Sequence, residues 1–362
     1  MVSMDDLPVR DDLRGQTPYG APQLDVAARL NVNENPFAPS EGLVADVASA
    51  VADATRGLNR YPDRDAVALR ADLAAYLGRE SGVALAGEQL WAANGSNEVM
   101  HQLMLAFGGP GRTAIGFAPT YSMYPEYCRD TFTRYLAVPR DEGFRLSTST
   151  ALEAVELHQP DIVLLASPNN PTGTALDLDV VKAVLDAAPG MVVVDEAYAE
   201  FRRAGTPSSL ELLAGHPRLV VTRTMSKAFG LAGARLGYLA ADPAVVTAAQ
   251  LVRLPYHLSA VTQAVARAAL AHSDELQAQV ALLRDERDSL VEWLRGKGFR
   301  VADSDANFVF FGEFDDRHAV WQSLLDRGVL IRETGPEQWL RVSIGTPEEN
   351  AAFTAALEEV TR

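Results

Sequence analysis

The chain has 362 residues, 48% of them hydrophobic and 22% charged, a size and balance that fit two packed subdomains of an ordinary globular enzyme. A formal net charge of −16 argues against nucleic acid and anionic membrane surfaces as partners, since both need a basic footprint, and leaves any anionic substrate to local arginines and backbone N–H groups. A single cysteine, Cys128, precludes an intramolecular disulfide and suits a reducing, cytoplasmic setting, and with six scattered histidines it gives no metal-ligand spacing.

Residues 1–14 are charged and unlike a secretory leader, and no run of about 18 apolar residues follows. The first 40 residues, rich in Pro, Gly and Asn, are expected to be irregular. Helical spacing then covers residues 41–53, 65–77 and 96–107, the last opened by Gly95-Ser96-Asn97-Glu98, capping residues followed by an acidic first turn. Short apolar runs predict strands at 113–117, 161–166, 191–194 and 219–221, with a helix at 178–188 among them. Such runs alternating with helices predict parallel strands covered on both faces. Beyond Pro255 the spacing predicts helices at 260–271 and 275–295. A smaller α+β unit follows, with strands at 307–311 and 340–344 and a helix at 319–327. The expected division is an N-terminal arm with part of the small domain over 1–50, a large domain over 51–255 and a small domain over 256–362.

In a parallel sheet, functional groups gather beyond the carboxyl ends of the strands. Asn170 of Asn169-Asn170-Pro171-Thr172-Gly173, Asp195 of Asp195-Glu196-Ala197-Tyr198 and Lys227 of Thr224-Met225-Ser226-Lys227 all follow predicted strands. A lysine between two hydroxyls, with Arg235 eight residues on, suits an aldehyde cofactor carrying a phosphate. A carboxylate such as Asp195 would keep a pyridine nitrogen protonated. Asn170 and Tyr198 are placed to donate to a ring hydroxyl, and the helix start at Ser96 and Asn97 offers N–H groups to an anion. Tyr121 could cover a ring face, and pattern alone leaves Tyr124 as an alternative. Arg341, among apolar neighbours, needs an anionic partner, either a substrate carboxylate or a structural salt bridge.

These motifs, in this order and spacing, resemble the fold-type-I pyridoxal-phosphate aminotransferases over essentially the whole chain. More narrowly, Leu30-Asn31-Val32-Asn33-Glu34-Asn35-Pro36, Arg60-Tyr61-Pro62-Asp63 and Leu340-Arg341-Val342-Ser343-Ile344-Gly345-Thr346 are similar to the histidinol-phosphate aminotransferases. Residues 13–24 and 252–259 look like the actinobacterial form. The resemblance implies a mainly parallel seven-stranded sheet between helices, pyridoxal 5'-phosphate as cofactor and a homodimer. It further implies transamination of L-histidinol phosphate with 2-oxoglutarate, reversed in histidine biosynthesis. It makes Lys227 the lysine that binds the cofactor aldehyde and then moves the substrate proton, with Asp195 at the pyridinium and Asn170 and Tyr198 at the ring hydroxyl. Ser96, Asn97, Thr224, Ser226 and Arg235 bind the cofactor phosphate, joined by Tyr61 of a neighbouring subunit, and Tyr121 stacks on the ring. Arg341 takes the substrate α-carboxylate. Tyr19, Asn33, Tyr256 and Arg332 line the side-chain pocket, with Arg332 a candidate for the substrate phosphate. The rival readings are an aromatic-amino-acid aminotransferase and a pyridoxal-phosphate decarboxylase of a phosphorylated amino acid.

Overall fold

The computed structural model describes residues 2–361. In chain order the strands are β1 (Ala28–Arg29), β2 (Leu90–Ala93), β3 (Thr113–Ala118), β4 (Arg134–Pro139), β5 (Ile162–Ala166), β6 (Met191–Asp195), β7 (Leu219–Thr224), β8 (Gly237–Ala241), β9 (Arg300–Val301), β10 (Phe308–Gly312), β11 (Val329–Leu330), β12 (Arg332–Glu333) and β13 (Trp339–Ser343). Seven of them form one sheet in the order β2-β8-β7-β6-β5-β3-β4, with β8 antiparallel to both neighbours and the others running one way. Every residue of β5, β7 and β8 is buried. The apolar runs of β5, β8 and the first half of β7 have this physical reason: helices cover both faces, so no alternation with polar residues is required.

The helix Leu178–Ala187 shows how the covering works. Val180, Val181, Val184 and Leu185 recur at three- and four-residue spacing and are its buried stripe. Several helix starts are capped by a side chain that accepts the N–H of the first turn: Ser40 from Leu43, Ser147 from Thr150 and Ser259 from Thr262. The last helix, Pro347–Val360, opens with a reciprocal box between Thr346 and Glu349. Four further strands, β12-β13-β10-β9, make a smaller sheet beside the long helix Ser273–Gly296, and β1 pairs with β11 in parallel.

Sequence spacing passed over β2, β4 and β8. Leu90–Ala93 is short, Arg134–Pro139 is an edge strand of mixed exposure, and Gly237–Ala241 is built mostly of residues with low strand preference. The orientation of β8 has a consequence for function. Being antiparallel, it begins at the edge where β5, β6 and β7 end, which brings Arg235 to that edge.

Candidate active site

A cleft opens at the carboxyl edge of the large sheet. Its walls include Tyr19, Asn33, Ser96, Asn97, Tyr121, Asn170, Asp195, Tyr198, Thr224, Ser226, Lys227, Arg235, Arg332 and Arg341. Fourteen of the sixteen residues singled out from sequence therefore meet in one place. The other two, Tyr61 and Tyr256, do not line it: they are 78% and 41% exposed, and their rings stack on each other at 4.2 Å.

Asp195 ends β6 and is buried. Its Oδ1 accepts from the Thr222 hydroxyl and the Ala197 N–H, each at 3.2 Å, and its Oδ2 from the Tyr124 hydroxyl at 3.1 Å. Among the described residues no cation pairs with it. Burial therefore raises its proton affinity above the ordinary carboxylate value, and the three donors only partly offset this. The next residue points the other way, as strand alternation requires. Glu196 is buried behind the sheet, 2.7 Å from the guanidinium of Arg223. Thr222 and Thr224 share the cleft face of β7, and Arg223 occupies the opposite one.

Lys227 follows β7, and its ammonium donates to the Val32 carbonyl at 2.8 Å. Burial first, then the cations Arg341 and Arg235, pulls its pKa down to about 8. Tyr198 is buried, and its hydroxyl accepts from Asn33 Nδ2 at 3.0 Å. Asn33 itself is held by Ser343 and adopts a left-handed backbone, with φ of 58°. Asparagine tolerates that region better than most residues do.

At the far end of the cleft, the helix Ser96–Phe107 presents its first N–H groups. Arg235 lies across this start. A side chain at Gly95 would meet Arg235 Nη2 at 2.6 Å, and one at Gly237 would meet the Ser96 nitrogen at 2.0 Å. Both positions must therefore be glycine for the cationic cradle to close up. Arg235 also donates to Ser226 Oγ at 3.3 Å, while the Thr224 hydroxyl donates to the Leu236 carbonyl and accepts the Ser226 N–H.

Arg332 and Arg341 are register partners on β12 and β13. Like charges directly opposite each other destabilise a sheet. Neither forms an ion pair with an acidic residue among the described residues. Arg341 donates to Asn170 Oδ1 at 2.5 Å and to the Asn31 carbonyl at 2.8 Å, and its buried Nε has no partner. A structural salt bridge is thus not what holds Arg341. Burial lowers its pKa to about 10, which leaves it cationic at neutral pH. Arg332 donates to the Gly20 carbonyl at 3.4 Å, tying the N-terminal arm to the cleft.

The structure separates the two tyrosines that sequence pattern left open. Tyr121 borders the cleft, whereas Tyr124 is fully buried and meets Asp195. Their rings sit edge to face at 5.7 Å. Sequence reasoning missed Thr222 as well as this role of Tyr124; its two-residue spacing from Thr224 on one strand was the available signal. Cys128 is a buried thiol, with its pKa pushed up to about 12 by desolvation. Among the described residues no cluster suits a metal ion, and no helix is long and apolar enough to cross a membrane.

Residues 27–357 match the family model for class I and II aminotransferases, and the chain belongs to that family. Its fold is shared with a solved histidinol-phosphate aminotransferase from Sinorhizobium meliloti in complex with pyridoxal-5'-phosphate. The TM-score is 0.83 at 27% identity, over 92% of this chain and 91% of that one. Within the family the chain groups with the histidinol-phosphate aminotransferases. It is 63% identical to one from Thermobifida fusca over 99% of this chain and 97% of the relative. It is equally similar, over the same shares, to histidinol-phosphate aminotransferase 3 of Burkholderia lata.

Proposed function

We propose that this enzyme transfers the amino group of L-histidinol phosphate to 2-oxoglutarate with pyridoxal 5'-phosphate as cofactor, and that in histidine biosynthesis it runs in reverse. The observation that carries the substrate reading is the pair Arg332 and Arg341, adjacent on neighbouring strands, facing one cleft and lacking acidic partners. Two cations held together this way match a substrate dianion or a carboxylate.

The residues fit the cofactor. A buried carboxylate without a cation, a lysine of lowered pKa and a cradle that a Cβ would fill occupy one cleft. Ser96, Asn97, Thr224, Ser226 and Arg235 would hold its phosphate, Asp195 its ring nitrogen, Asn170 and Tyr198 its ring hydroxyl, and Tyr121 its ring face. When bound, pyridoxal phosphate supplies an electron sink for charge developing at the substrate carbon. Lys227 supplies the amine that holds the aldehyde and, once released, moves the proton at that carbon. Its pKa near 8 leaves a useful neutral fraction at physiological pH. Arg341 orients the α-carboxylate of 2-oxoglutarate. Arg332 receives the phosphate of histidinol phosphate, which has no carboxylate. Tyr19 and Asn33 border the same space.

The direct test is a steady-state comparison of histidinol phosphate, phenylalanine and tyrosine as donors, each with 2-oxoglutarate. The expected result is a kcat/KM for histidinol phosphate well above both others. Equal values would instead make this an aromatic-amino-acid aminotransferase, and carbon dioxide release without an oxo acid would make it a decarboxylase.

The assembly we propose is a cytoplasmic homodimer with composite sites. Tyr61 and Tyr256 are exposed among the exposed apolar side chains Leu58, Val67, Leu251 and Leu254, a surface suited to a second copy. In this arrangement Tyr61 reaches the partner's cofactor phosphate, and Tyr256 the side-chain pocket. Lys227→Ala and Tyr61→Ala chains, each impaired alone, are then expected to regain about a quarter of wild-type activity when unfolded together and refolded. In a mixed dimer, one site receives both intact residues. No regain would place Tyr61 outside the partner's site.

A further inference from the structure

The hydrogen bonds around Asp195 extend the cofactor site by one residue. Tyr124 sits on the helix Met123–Asp130 and is fully buried. Many main-chain carbonyls could satisfy a buried tyrosine hydroxyl, yet the acceptor here is Oδ2 of Asp195 at 3.1 Å. Thr222 holds the other oxygen at 3.2 Å. A buried carboxylate facing a cleft thus has both oxygens held by neutral hydroxyl donors and has no cation.

We propose that Tyr124 is a positioning residue that acts through Asp195: its hydroxyl keeps the negative charge on that carboxylate and the shared proton on the ring nitrogen of the cofactor. This rests on the assignment of Asp195 to the ring nitrogen made above. A carboxylate and a pyridine nitrogen compete for one proton. Each hydrogen bond donated to the carboxylate makes it a poorer acceptor and favours the ring. A ring that keeps the proton is the stronger electron sink.

Tyr124 is suited to this role because it does not give up its own proton. Burial beside a carboxylate holds its hydroxyl far above the ordinary phenol range. The titratable groups near it are Asp195, Tyr127, Tyr135 and Arg140. Arg140 is anchored on the Phe117 and Phe144 carbonyls. Near Asp195 lie also Glu196, whose charge is matched by Arg223, and Tyr198. Ring packing is a separate matter: the edge-to-face contact with Tyr121 needs only the aromatic ring.

The test therefore uses Tyr124→Phe, which keeps the ring, and Thr222→Val, which removes the hydroxyl donor on the other oxygen and leaves the Ala197 N–H in place. Two readouts are taken on holoenzyme without substrate: the pH titration of the bound cofactor's visible absorbance, and the 15N resonance of cofactor labelled at the ring nitrogen. With less positive charge on the ring, the nitrogen that Lys227 contributes is more easily protonated. Each variant is expected to move the absorbance midpoint up by about one pH unit. The 15N resonance should move toward the unprotonated form. In single turnovers, amino-group transfer should slow by about tenfold with little change in substrate binding. An unchanged midpoint and resonance in Tyr124→Phe, while Asp195→Asn alters both strongly, would overturn the proposal for Tyr124, whatever Thr222→Val does. A midpoint that moves down would do the same. If Asp195→Asn leaves cofactor binding and titration as in wild type, the assignment of Asp195 itself falls, and this inference with it.

Discussion

Lys227→Ala is expected to lose transamination by at least about 10⁴-fold and to lose the visible absorbance of lysine-bound cofactor. The size of the effect follows from there being no substitute. Lys227 Nζ is tethered to the Val32 carbonyl at 2.8 Å within the cleft, and no other lysine lines that space. Both of its proposed tasks need the neutral amine. Its pKa, lowered to about 8, means that protonation removes function as pH falls through that value. The rate at which apoenzyme takes up cofactor should accordingly rise with pH to about 8 and level off above it. Arg341 is the next-largest cause of the lowered value after burial, so Arg341→Met is expected to move that midpoint upward. A Lys227→Ala enzyme that retained transamination would remove the lysine from the reaction.

Arg332→Ala carries the second large effect, on selectivity. Its loss should lower kcat/KM for histidinol phosphate by about 100-fold, the scale of a hydrogen-bonded charge pair, and change phenylalanine far less. Arg332 also donates to the Gly20 carbonyl, so the substitution loosens the N-terminal arm for every donor. The ratio between the two donors cancels that shared loss and isolates the phosphate contact. Equal losses for both would leave Arg332 as a tether of the arm and move the phosphate to Arg341 alone.

How much of this site was legible in the chain depends on the length of the interactions involved. Asn170, Asp195 and Lys227 each follow an apolar run, and a run buried on both faces is a local signal. The helix start at Ser96 was equally local, marked by the consecutive residues Gly95-Ser96-Asn97-Glu98, although its N-cap is Gly95 and no side chain caps it. Arg332 was reached through family resemblance. Its pairing with Arg341 depends on the register of β12 against β13, which no spacing in the chain encodes. The choice between Tyr121 and Tyr124 was likewise invisible. Three residues apart, Tyr121 just before the helix Met123–Asp130 and Tyr124 within it, they diverge because one meets the cleft and the other meets Asp195.

The sequence by itself determined the chemistry: a lysine, a carboxylate and an anion cradle at strand ends, in an order that resembles one family of enzymes. Apolar periodicity and glycine placement act over a few residues, so they can be read without coordinates. The tertiary structure alone decided what those groups touch. The antiparallel entry of β8 brought Arg235 onto the helix start, two arginines came to lie side by side, and Tyr124 was turned toward Asp195. The physical reason is that burial and hydrogen bonding set the charge state of each group. Both arise from residues far apart in the chain that packing brings together.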